Sequence, residues 1–168
     1  MKHSRHAAIA NAALALLSFM CALPADAQRL DTHFSCSATR DEDGERVIYS
    51  DNGEAHLNGD RIESFHWESA LFRTMYGYDC SIDDDDGLQV ELIQGIQHDA
   101  WRIGLRDARA ARTARGYNFD RGLNCSIRLE REGDTLTVKP SCPALCGSRA
   151  NFTELSVDLK NGKCRYVE

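Results

Sequence analysis

Cysteine constrains this chain more than any other residue type. The 168-residue sequence holds seven, and six lie beyond residue 27: Cys36, Cys80, Cys125, Cys142, Cys146 and Cys164. The residues before them read as a secretory leader. Lys2, His3, Arg5 and His6 form a basic start, and Ala7 to Ala22 is apolar except for Asn11 and Ser18. Ala25-Asp26-Ala27 then supplies an A-x-A cleavage site. Residues 1–27 are therefore expected to be a signal peptide, and residues 28–168 a single domain. An even cysteine count behind a leader predicts a disulfide framework formed in an oxidising compartment, the periplasm or the extracellular space. Cys21 follows Met20, where a lipidation box needs a small residue, so a lipid anchor is not expected. The apolar run of the leader is shorter than the ~20 residues of a membrane span, and no later segment is longer.

Charge narrows the partners. The chain has 20 basic and 26 acidic residues; without Lys2, Arg5 and Asp26 it keeps 18 and 25. An acidic balance disfavours nucleic acid and suits a basic protein or simple solubility. The oligomeric state is left open by the sequence.

Short alternating apolar runs, separated by Gly, Asn and Asp, predict an all-β fold: one antiparallel β-sandwich or small barrel with three disulfides. Strands are read at Phe34–Ala38, Arg46–Ser50, Ile62–Trp67, Met75–Ile82, Leu88–Ile93 and Ala100–Leu105, with Asp41–Gly44 and Asp51–Gly53 as turns. Asn58-Gly59 suits a tight hairpin. Leu123, Cys125, Ile127 and Leu129 alternate strictly, as do Leu136, Val138, Pro140 and Cys142 after the turn at Glu132–Asp134. A Gly133-Asp134 loop sets Cys125 opposite Cys142, and a Glu132-Gly133 loop sets them diagonally; both keep them on one face. Asn161-Gly162 as a two-residue turn would set Cys164 opposite Leu159, with Cys146 as its mate. The pairs expected are Cys36–Cys80, Cys125–Cys142 and Cys146–Cys164. Asp107 to Arg115 interrupts the pattern with Ala and Arg. It reads as a helix capped by Asp107 and ended by Gly116.

Candidate chemistry is sparse. Asp83, Asp84, Asp85 and Asp86 precede Gly87. A calcium loop of D-x-D-x-D-G type would need a ligand at Ile82, which has no donor, so the segment is read as a partner-facing acidic loop. The plainer alternative is a solvated turn. Arg106, Arg109, Arg112 and Arg115 recur every third residue and fan across the helix, where they can hold an anion or neutralise acidic loops of the same molecule. His33, His56, His66 and His98 show no H-x-x-x-H spacing, so neither a metal nor a cofactor is predicted. No G-x-S-x-G elbow or other nucleophile context appears, and no enzymatic activity is expected. The aromatic residues Phe65, Trp67, Trp101, Tyr117 and Phe119 are read as core.

In class, being secreted, β-rich and disulfide-bonded, the chain resembles the small periplasmic inhibitors of lysozyme, although it lacks the S-G-x-x-Y loop of one such family. The resemblance implies a binding protein. Its most concrete form is an inhibitor or immunity protein directed at a basic wall-degrading enzyme or toxin. The alternative is a structural or small-ligand-binding envelope protein.

Overall fold

The computed structural model describes residues 28–95, 97–116, 125–141 and 152–167. The leader, Tyr117, Phe119, Cys142 and Cys146 lie outside them.

Among the described residues ten strands follow one another: β1 (Arg29–Glu42), β2 (Glu45–Asn58), β3 (Arg61–Phe72), β4 (Gly77–Ile82), β5 (Leu88–Leu92), β6 (Asp99–Leu105), β7 (Ser126–Glu132), β8 (Thr135–Pro140), β9 (Leu155–Asp158) and β10 (Cys164–Tyr166). One helix, α1 (Ala108–Ala114), lies between β6 and β7. The strands form two antiparallel sheets, ordered β1-β2-β3-β4 and β10-β9-β8-β7-β6-β5. Every neighbour in a sheet is also a neighbour in sequence, so the chain is one long meander cut in two. No barrel is closed.

Period-two alternation explains the layering. Along β1, Leu30, Thr32, Phe34 and Cys36 are buried while Arg29, Asp31, His33 and Ser35 face out. The inward rows of both sheets meet in one core containing Trp67, Trp101, Phe152, Ile103, Ile127 and Leu136. Trp67 meets Phe152 edge-on at 4.7 Å and Phe34 at 6.3 Å between ring centres, a geometry that aligns ring edge with ring face. Trp101 donates its indole N–H to the Gly59 carbonyl at 3.1 Å, tying β6 to the β2–β3 turn.

Several turns differ from expectation. Asp51, Asn52 and Gly53 do not close a strand; β2 runs straight through them. Asp51 points inward and is fully buried. Gly53 lies opposite Phe34, and a Cβ there would come within 2.3 Å of that ring, so the glycine makes room rather than a turn. The β2–β3 loop is Gly59-Asp60, one residue later than the Asn58-Gly59 reading, because Asn58 pairs with Arg61. The β7–β8 loop, by contrast, is Gly133-Asp134, the first of the two loops expected, since Glu132 pairs with Thr135.

The last hairpin overturns the expected cross-links. Cys164 pairs with Val157 and Tyr166 with Leu155, not with Leu159 and Val157. Asp158 is the cause. Its carboxylate accepts from the Lys160 N–H and the Asn161 amide, both at 2.8 Å, and its carbonyl from the Gly162 N–H. These bonds hold a five-residue loop instead of a two-residue turn. The Ser35 N–H donates to the Gly162 carbonyl at 3.0 Å, which lays β10 beside β1. Cys164 thereby meets Cys36, with Cα atoms 4.9 Å apart, and the two form a disulfide. The Cys36–Cys80 and Cys146–Cys164 expectations are therefore corrected. It is the one disulfide seen between described residues; Cys80 and Cys125 are also disulfide-bonded.

Candidate functional site

The acidic segment is folded into the protein more than out of it. Asp84–Asp86 makes one 3-10 turn, capped by the Asp83 carboxylate on the Asp85 N–H. Gly87 then takes a left-handed φ of 66°, and a Cβ there would strike the Asp107 carboxylate at 2.3 Å. The Asp107 N–H donates to the Asp86 carbonyl at 2.8 Å, which stitches the start of α1 to the acidic turn. Asp107 occupies the capping position of α1, but its side chain makes no capping bond and pairs with Arg106 instead.

That docking sets arginines against aspartates. Arg112 and Asp86 form an ion pair with both side chains wholly buried. Burial pushes the Asp86 carboxyl up, against the pull of Arg112. Arg115 reaches Asp83 at 2.8 Å and Asp85 at 3.2 Å. Burial raises Asp83, yet the Arg115 hydrogen bond and charge outweigh it and leave its carboxyl lowered. Of the four acids only Asp84 and Asp85 are exposed, and of the four arginines Arg109 is exposed while Arg106 pairs with Asp107. The structure thus brings the two predicted sites together, as partners of each other.

A second group of cations lies on the outer face of the six-stranded sheet. Arg102, Arg128 and Lys139 stand in one row across β6, β7 and β8. They line a cavity of about 550 Å³ with Ser126 and Ser141. Glu91 pairs with Arg102 at 3.8 Å, Glu130 with Arg128, and Glu154 with Lys139 at 2.7 Å. The row carries its own counterions, which weakens it as an anion site.

The four-stranded sheet is different at both ends. At one end the β3–β4 connection projects. Phe72 is 48% exposed, Met75 89% and Tyr76 49%, and Ile48, opposite Phe72, is 39% exposed. The connection is held firmly. Arg73 reaches Glu42 at 2.9 Å and Glu45 at 3.0 Å, and the Thr74 N–H donates to Glu45 at 2.9 Å. The Arg73 N–H closes the turn on the Tyr76 carbonyl at 2.8 Å. The Thr74 and Arg73 bonds hold the Glu45 carboxyl below its usual range. The β1–β2 turn lies alongside, with Asp41 and Asp43 exposed.

At the other end, the outer face gathers histidines. The β1–β2 register sets Asp31 opposite His56 and His33 opposite Glu54, and the β2–β3 register sets His66 opposite Glu54. His33 Nδ1 is 3.6 Å and His56 Nε2 4.0 Å from Glu54 Oε2, while Asp31 takes His56 Nδ1 at 2.9 Å. His33, Glu54 and His56 offer ligand atoms all within 4.8 Å of one another, a set that could hold a metal ion. Sequence spacing missed it because the residues come from two strands. The signal that could have found it is the β1–β2 register, legible only once Asp43-Gly44 is taken as the turn.

Among the described residues no helix is long and apolar enough to cross a membrane. Compared with known protein families, curated proteins and solved structures, the chain matches none.

Proposed function

We propose that this is a periplasmic or secreted binding protein, stapled by three disulfides, that docks a basic protein of the wall-degrading-enzyme or toxin kind as its inhibitor or immunity partner. One observation carries the reading: the β3–β4 turn presents Met75 and Tyr76 on a braced support beside exposed acids. Exposed Met and aromatic side chains are enriched in the cores of protein interfaces. Bracing by Arg73 lowers the ordering cost of binding. Asp41 and Asp43 at the rim, with the chain's acidic balance, suit a cationic partner. The docking element is thus the β3–β4 turn rather than Asp83–Asp86, whose charges are largely answered by Arg112 and Arg115.

The test is a panel of purified basic muramidases, measured for binding and for inhibition of peptidoglycan hydrolysis. At least one should bind. Tyr76→Ala and Met75→Ala should each weaken that complex by about tenfold or more, the scale of interface hot spots. Asp41→Asn with Asp43→Asn should slow association, and salt should shrink the difference. A panel with neither binding nor inhibition would overturn the reading. So would a complex indifferent to Tyr76 and Met75.

A further inference from the structure

We infer that the outer face of β1 and β2 carries a binding site for a divalent transition-metal ion of the zinc class, with His33, Glu54 and His56 as its protein ligands. The inference is independent of the docking reading, since the site lies at the opposite end of the sheet.

Geometry supports it first. Zinc bonded to imidazole and carboxylate at 2.0–2.2 Å in a tetrahedron needs its ligand atoms about 3.3 Å apart. Glu54 Oε2 already stands 3.6 Å from His33 Nδ1 and 4.0 Å from His56 Nε2. Small side-chain rotations close the remainder, and the fourth position is left to water. The support is rigid, because β1 and β2 pair without interruption from Arg29–Asn58 to Glu42–Glu45. Sites on regular strands hold their ligands more closely than sites on loops.

The shell behind the ligands agrees. Asp31 Oδ1 lies 2.9 Å from His56 Nδ1. A carboxylate there takes the Nδ1–H and leaves the Nε2 lone pair directed at Glu54, the arrangement that orients metal-binding histidines. Donor type selects the metal: two imidazoles and one carboxylate favour zinc, copper or nickel over calcium, which wants six or more oxygens. His33 is 72% exposed at its side chain, so an ion can enter from solvent directly.

Chelator-stripped protein titrated with Zn²⁺ in a calorimeter near neutral pH tests this. One ion should bind per chain, more weakly than at a closed four-ligand site, as suits three ligands on an exposed face. His33→Ala and His56→Ala should each lose about tenfold or more, and Asp31→Asn about tenfold through His56. His98→Ala, in the connection between β5 and β6, should match the parent, and Ca²⁺ should give no binding heat. Circular dichroism reports whether each variant folds; Glu54→Gln, of the same size, replaces any that does not. Zn²⁺ should raise the melting temperature of the parent but not of Glu54→Gln. No Zn²⁺ uptake by the parent, or parental affinity in the His33 and His56 variants, would overturn the inference.

Discussion

Asp51 shows how one buried carboxylate can join two sheets. It sits on β2 opposite Cys36, accepts from the Trp67 indole at 2.8 Å and from the Tyr166 hydroxyl at 2.7 Å, and has no exposure. Trp67 belongs to the first sheet and Tyr166 to the second. Burial raises the Asp51 carboxyl above its usual range, against three hydrogen bonds that pull it down. The native state therefore takes up a proton at a pH where the unfolded chain has lost it. For this group, stability is greatest at low pH and falls as pH rises from about 4 through the raised native value. The check is denaturant unfolding of the parent and Asp51→Asn across that range. The parent's stability relative to the variant should decline with rising pH; a flat difference would refute the burial account. Asp51→Ala, which leaves the Trp67, Tyr166 and Ser69 donors without their acceptor, should cost about 2–5 kcal/mol.

Among the elements, the 3-10 turn and α1 behave as one unit. Removing one partner of a wholly buried ion pair strands the other charge, so Arg112→Met or Asp86→Leu alone should cost about 3–5 kcal/mol in thermal unfolding. The double variant should recover most of that. If the two losses simply added, the pair would not be coupled. The β7–β8 hairpin carries another prediction. The Ser141 N–H donates to the Ser126 carbonyl at 2.8 Å, so the pairing of β7 with β8 reaches at least Ser126 and Ser141. The two-residue Gly133-Asp134 loop, extended along the sequence, predicts Cys125 and Cys142 as a pair. Peptide mapping without reductant should find Cys125–Cys142, and by remainder Cys80–Cys146. A Cys142–Cys146 link would defeat both.

The same elements show what was legible in the sequence. The β7–β8 pairing could be read because strict alternation flanks a Gly-Asp turn, and α1 because Ala and Arg break the strand period. β2 was misread at Asp51–Gly53, where turn-forming residues serve a buried polar bond and an aromatic ring. The partner of Cys164 could not be read, since it depends on how the Asp158 side chain caps a loop. The histidine cluster was hidden for a related reason: register, not spacing, assembles it.

At the scale of the molecule, the Cys36–Cys164 bond closes 128 residues of sequence. In the chain-entropy account, a loop of that size contributes about 5 kcal/mol by restricting the unfolded chain. Replacing both cysteines with Ala should lower stability by up to that amount in denaturant titration, with the other cysteines left oxidised. A change under about 1 kcal/mol would mean that the hydrogen bonds around Gly162 already hold β10 in place.

The clasp also decides how the protein answers force. β1 and β10, the first and last of the described strands, are covalently joined. Tension applied to these two strands passes through the sulfur bridge and bypasses the meander between. Stretched by handles fixed at Arg29 and Tyr166 while oxidised, the molecule should release only the residues outside Cys36 and Cys164. Once reduced, it should lengthen by on the order of 400 Å, the contour of the freed loop. To a pull from outside, an open and unclosed pair of sheets is a locked ring.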